Sequence, residues 1–449
     1  MEDRSRSGAD AARRSRNGQI AIGLLLPLAV ATPALVVRAT GAELAAPVAA
    51  LLFATAVVAA AFLLTWGTEL AELDIGQGLA LALLALIAVL PEYAVDVIFA
   101  WKAGQDPDTY APLALANMTG ANRLLIGVGW SVVALAAIIA ARRAGFAGRD
   151  VEPPTDGRPA AVRLHEVQVV EVAFLALASA YALTLPLRRS ITLIDTVILV
   201  AIFVAYLWRV RRADSPHAAD EDEDAEDEDD EASELFGPAA AIAELPARVR
   251  RIVTVGMLAV AAGVILVVAE PFAESLVETG QELGVSEFLL VQWVAPLASE
   301  TPEFIAVLLM AYKLAASAAL GALVSSKINQ WTLLVGILPL VFAISAGSWD
   351  GLPVDAVQRE ELLLTAAQSA FAVALVVSGR LTTRGAWTLL GLFTVQFALA
   401  WTLPEGSKGI ERIALSGVYL ALAAALLVAR RAALASVIRT GLLGRPTRP

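Results

Sequence analysis

Two stretches of the chain place carboxylates where an apolar helix would have to bury them. The first, ALALLALIAVLPEYAVDVIFAW, carries Pro91 and Glu92 near its middle and Asp96 one helical turn on. The second, LLVQWVAPLASETPEFIAVLLMAYK, carries Pro302 and Glu303 near its middle and Glu300 one turn before. An ionisable group inside an apolar span costs at least about 2.5 to 3.5 kcal/mol on insertion, so its presence there signals function. The proline before each glutamate removes a backbone donor and frees carbonyls beside the carboxylate. Carboxylate and carbonyl oxygens are the hard ligands that calcium, magnesium or sodium require, and transporters place them at broken helices near the midplane. Spacings of i,i+4 for Glu92 and Asp96, and of i,i+3 for Glu300 and Glu303, keep each pair on one helix face.

Such residues need a membrane-embedded scaffold, and the composition provides it. Of 449 residues, 58% are apolar and 17% charged, a balance foreign to water-soluble domains. Apolar runs long enough to span, about 20 residues each, lie near 20–37, 43–66, 78–101, 112–141, 167–185, 191–208, 251–272, 287–312, 316–347, 362–379, 385–402 and 410–429. The runs at 112–141 and 316–347 exceed one straight span, which implies tilt, a break or an exit from the membrane. The expectation is an all-α polytopic fold of about twelve spans. No cleavable signal is expected, and the first run is read as a retained helix.

Arginines cluster at 4–16, 142–163 and 430–448, which fall on one side of a twelve-span chain, and the opposite side has far fewer basic residues, such as Arg38, Lys102, Arg188, Arg189 and Lys408. That bias places both termini in the cytoplasm, in a bacterial-type plasma membrane. The net charge of −11 comes from the tract Asp220–Glu234, whose removal leaves 33 basic residues against 32 acidic. Nucleic acid is therefore not an expected partner. With no cysteine, and both histidines (His165, His217) in polar loops, thiolate chemistry and an HExxH zinc site are excluded. The expected order is a basic segment 1–19, a membrane half 20–208, an acidic linker 209–250, a second half 251–430 and a basic tail 431–449. The linker is too charged to fold alone; it reads as disordered, or as a weak cation buffer.

The halves repeat. After each glutamate comes a short polar connection and a span rich in small and polar residues, LALANMTGANRLLIGVGW in one half and AALGALVSSKINQWTLLVG in the other. Each motif is also preceded by an acidic helix end, so three elements recur in order at an interval of about 210 residues. Five spans per repeat, with one extra helix at each end of the chain, invert the second repeat relative to the first, as alternating access requires.

With its motifs in view, the chain resembles the cation/calcium exchanger superfamily, the sodium/calcium exchanger-like proteins, over roughly residues 43–402. The family's G-T-S-x-P-E helix is matched by Leu90–Glu92 and Ser299–Glu303, and its G-N-x-x-G-S-N helix by Ala116–Asn122 and, loosely, Gly321–Lys327. The resemblance implies two inverted repeats, Glu92 and Glu303 as central calcium ligands, Asn117 as the family's asparagine, and oxygens near Ser299 and Ala88 completing the site. Departures are Ala88 and Val89 in place of hydroxyl residues, Ala322 and Lys327 in place of amides, and Glu300 where a hydroxyl is usual.

Two further residues keep alternatives open. Glu300 is a ligand or the partner of Lys327; Asp96 is a ligand or the partner of Arg123. The expected function is a secondary antiporter exchanging Ca2+ for H+ or Na+, not an enzyme, with inorganic cations as cargo, the lipid bilayer as surroundings and no resident cofactor. A passive cation channel, or a membrane scaffold or sensor working through its acidic linker, are the readings it competes with. Oligomeric state is not legible.

Overall fold

The computed structural model describes residues 2–74, 89–146, 150–155, 157–165, 168–214, 235 and 237–444. The acidic tract Asp220–Glu234 and Ala88 lie outside the described residues. The described residues are mostly helical, in α1 Glu2–Thr40, α2 Ala46–Glu72, α3 Leu90–Gln105, α4 Pro107–Arg143, α5 Gln168–Ala182, α6 Leu193–Asp214, α7 Ala247–Leu283, α8 Glu287–Tyr312, α9 Ala316–Ala346, α10 Ala356–Val376, α11 Thr383–Thr402, α12 Glu405–Ala429 and α13 Arg431–Val437, with short strands in the connections.

Among the described residues, ten helices are long and apolar enough to cross a membrane, against the twelve expected. The difference has two sources. The expected run 78–101 lies partly outside the described residues, and α10 begins with Arg359, Glu360 and Glu361, which shorten its apolar stretch. Asp355 caps α10: its side chain accepts from the Gln358 amide while Gln358 bonds back to the Asp355 amide, so two orphan donors are satisfied reciprocally.

The chain divides into two compact units drawn from both halves of the sequence. One comprises Met1–Val95, His217–Glu287 and Ala298–Glu303; the other comprises Asp96–Pro216, Phe288–Leu297 and Phe304–Pro449. In the first unit α2 and α7 pack closely. A methyl group added at Gly67 would lie 2.8 Å from the Leu258 side chain, which would have to shift to admit it. In the second unit, α4 and α9 are continuous through the lengths that exceeded one span. Each contains a π-helical turn, Leu125–Trp130 in α4 and Gln330–Leu334 in α9. A π turn widens the helix by one residue and is a common mark of functional helices.

Loop contacts sort the connections into two sets. Within the second unit, the strand Ala161–Arg163 pairs with Arg380–Thr382, and Ser190–Ile191 pairs with Leu352–Pro353. Within the first, Arg250 bonds Asp74 and Arg38 bonds Glu270. Each contact joins segments that the arginine pattern assigns to one membrane side.

Candidate ion-binding site

The two Pro-Glu motifs sit in different helical settings. Pro91 is the second residue of α3, in the first turn, where a missing backbone N–H leaves no intrahelical bond unmade. Pro302 lies deep in α8, which runs without interruption from Glu287 to Tyr312. The expected break at the second motif is therefore absent. One missing donor does not end a membrane helix, because the rest of its ladder persists and no water competes for the backbone.

Glu92, Ser299, Glu300 and Glu303 all belong to the first compact unit. Glu92 is 4% exposed and Glu300 3%, while Ser299 and Glu303 are half-buried. Among the described residues, no group of three or more His, Asp or Glu is placed to hold a metal ion. Any cation held by the two motif glutamates must draw its remaining ligands from neutral oxygens, such as the hydroxyl of Ser299 and the Ala298 carbonyl, to which Pro302 cannot donate.

Asp96 and Asn117 belong to the second unit, and there they meet. The Asn117 side-chain amide donates to Asp96 Oδ1 at 2.9 Å, with both residues at most 1% exposed. The other carboxylate oxygen of Asp96 and the carbonyl oxygen of Asn117 are also buried, and neither has a hydrogen-bond partner among the described residues. Orphaned buried acceptors of this kind are rare in folded proteins. Two together, one of them a carboxylate oxygen, can take a cation or a proton.

Arg123 does not pair with Asp96. Its guanidinium lies 2.7 Å from Glu361 and over the Trp293 ring, 5.1 Å from its centroid. Glu361 also accepts from Gln292 at 3.1 Å and lies 3.5 Å from Arg412. A buried arginine needs a fixed counter-charge, and Glu361 of α10 supplies it while also meeting Arg412 of α12. These partners escaped the sequence reading. The available signal was the charge couplet opening each run, Glu360–Glu361 in one and Glu411–Arg412 in the other.

Lys327 is fully buried and donates to the Asn122 main-chain oxygen at 2.8 Å and to the Asn122 side-chain oxygen. The two residues are 205 apart in sequence, the same interval that separates the starts of the two π turns. They occupy equivalent places in the two repeats, and equivalent places touch only where the repeats face one another. Gly120, between Asn117 and Asn122, sits against a backbone carbonyl. A methyl there would lie 1.7 Å from the Gln292 oxygen, which Pro296, four residues on, cannot engage as a donor.

The family model for sodium/calcium exchanger proteins matches residues 44–211 and 253–402. No curated protein sequence matches the chain. Among solved structures, the H+/Ca2+ exchanger CAX is 37% identical and superposes with a TM-score of 0.81, covering 96% of this chain and 99% of its own. Native YfkE and the selenium-substituted Ca2+/H+ antiporter protein YfkE are 14% and 16% identical; each has a TM-score of 0.55 and covers 85% of this chain and 100% and 99% of its own, so they share the fold. By the span of that family model and the depth of the first likeness, this integral membrane chain belongs to the sodium/calcium exchanger protein family.

Proposed function

We propose that the protein is a secondary active antiporter that exchanges Ca2+ for protons by alternating access, with Glu92 and Glu303 as the central cation ligands. The observation that carries this reading is the end-to-end likeness to an H+/Ca2+ exchanger. Two carboxylates, one buried and one half-buried, are costly to keep charged together in a low-dielectric site without a counter-charge, so a divalent cation or protons are favoured to neutralise them. Exchange follows: calcium binds between Glu92 and Glu303, and its departure requires protons to replace it. Ser299 supplies a neutral oxygen and Glu300 a second acid. Asp96, with Asn117 holding one of its oxygens, serves as a proton acceptor. Both termini and the acidic linker are placed in the cytoplasm, after the arginine bias.

Protons are preferred over sodium because sodium needs several neutral ligands to offset its desolvation. Val89 and Ala322 offer no side-chain oxygen, and the ammonium of Lys327 repels a monovalent cation nearby. The test is calcium uptake into proteoliposomes under an outward proton gradient without sodium, compared with an outward sodium gradient at fixed pH. Uptake in the first alone is expected. Uptake in the second alone would make sodium the counter-ion, and uptake with no gradient dependence would make the protein a channel.

A further inference from the structure

The second unit contains a half-open cavity of about 340 Å3 between α5, α10, α12 and the C-terminal helix. Its walls include Ala173 and Leu183 of the α5 span, Val373, Leu427, Leu434 and Leu442. Among the described lining residues the single polar side chain is Ser179, 2% exposed, whose hydroxyl has no hydrogen-bond partner. The lining runs along α5 from Ala173 to Leu183, roughly 15 Å at the helical rise. At about 30 Å3 for each small group, the volume holds roughly ten methylenes. It is a slot with the dimensions of one hydrocarbon chain.

Charge gathers at one end of this slot. α13 and the π turn Ile438–Leu442 that follows it carry lining residues Leu434 and Leu442, and Gly441 packs so tightly on α5 that a methyl there would lie 2.4 Å from Ala173. Arg209 donates to the Thr440 carbonyl at 3.0 Å, and Arg430 donates to the carbonyls of Ala374 and Leu375 at 3.0 and 2.8 Å. Arg431 and Arg439, on the same C-terminal segment, are exposed. Arg209 and Arg430 therefore adjoin the Ala173 end without a carboxylate in those contacts, whereas beside the Leu183 end Arg188, which donates to Thr184, is neutralised by Asp195 at 2.6 Å.

We propose that this cavity is a binding site for an anionic phospholipid of the surrounding leaflet, one acyl chain lying along α5 and the headgroup at the arginine end. The occupant follows from the two ends together. A hydrocarbon chain matches the apolar slot of a protein that spans a bilayer, and basic pockets at the ends of membrane helices select anionic headgroups. The site lies outside the Pro-Glu motifs and stands apart from the counter-ion assignment.

The test is native mass spectrometry of the full chain released from detergent with phosphatidylglycerol or phosphatidylcholine of identical chains. The wild type is expected to retain one phosphatidylglycerol with a preference on the order of tenfold, the scale of two arginines near a headgroup. Ala180→Trp and, separately, Leu434→Trp should fill the slot and lose both lipids. The double variant Arg431→Gln with Arg439→Gln should keep a lipid and lose the preference. Equal retention of the two lipids by the wild type overturns the proposal without any variant, as does undiminished retention by a monodisperse slot-filling variant.

Discussion

The two repeats carry the same Pro-Glu pair in unlike company. In the first, the second-motif helix brings Asn117 to Asp96 and leaves two buried acceptor oxygens. In the second, the places of Asn117 and Asn122 are taken by Ala322 and Lys327, and the lysine donates to Asn122 of the other repeat. One repeat offers oxygens, the other a fixed positive charge. Duplication thus preserves the Pro-Glu pair while its neighbours diverge, and under the proposed function that divergence is where counter-ion choice would be set.

The largest effects should fall on what the repeats share. Glu92→Gln and Glu303→Gln should each cut calcium exchange by on the order of a hundredfold or more, the scale of one lost charged contact. Both variants should remain inserted and monodisperse by size-exclusion chromatography. Wild-type transport by either one would show that the central pair is not a pair.

Next come the residues found in one repeat alone. Asn117→Ala makes the first repeat like the second, and Asp96→Asn keeps the shape while removing the acid. Each should slow exchange by roughly tenfold, the worth of one buried hydrogen bond to a charged group. Asp96→Asn should in addition flatten the dependence of uptake on pH, measured with the proton gradient clamped, whereas Asn117→Ala should only displace it. An unchanged pH profile in Asp96→Asn would remove Asp96 from the proton path.

The converse change, Lys327→Asn, makes the second repeat like the first. It keeps a donor for Asn122 and removes the charge, so sodium-driven calcium uptake should rise several-fold from its baseline, in keeping with loss of a like-charge repulsion of about 1 kcal/mol. A variant as indifferent to sodium as the wild type would place the ion selectivity elsewhere.

These comparisons were partly legible from residues alone. The spans, the duplication and the Pro-Glu pairs could be read because each leaves a local mark, an apolar run of set length or a charge where none belongs. The partners of Arg123 could not. Asp96 and Glu361 are both acids near apolar runs, and only the packing of α10 and α12 decides between them. Nor could the continuity of α8 be read, since a proline reports a lost donor and is silent on whether neighbouring helices support the gap. The match between the π turns was hidden for a further reason: a one-residue bulge leaves the apolar pattern almost unchanged.

The smallest effect concerns the place where the repeats are tied at the membrane surface. Asp74, just past the end of α2, accepts from Arg250 at 2.7 and 2.9 Å and from Arg251 at 3.1 Å, near the start of α7. The Arg250 hydrogen bonds hold its carboxyl below the ordinary value of 3.8. A carboxylate whose folded value is depressed stabilises the fold at pH above its unfolded value, and that contribution fades as pH falls towards the folded one. Arg251 is largely exposed and adds little, so the link rests on the Arg250 hydrogen bonds, worth about 1.5 kcal/mol. Asp74→Asn should therefore lower the Tm by a few degrees at pH 7, and the gap to the wild type should close as pH is taken below 3.8. A gap that stays constant across that range would mean that shape at Asp74, not charge, joins the two repeats there.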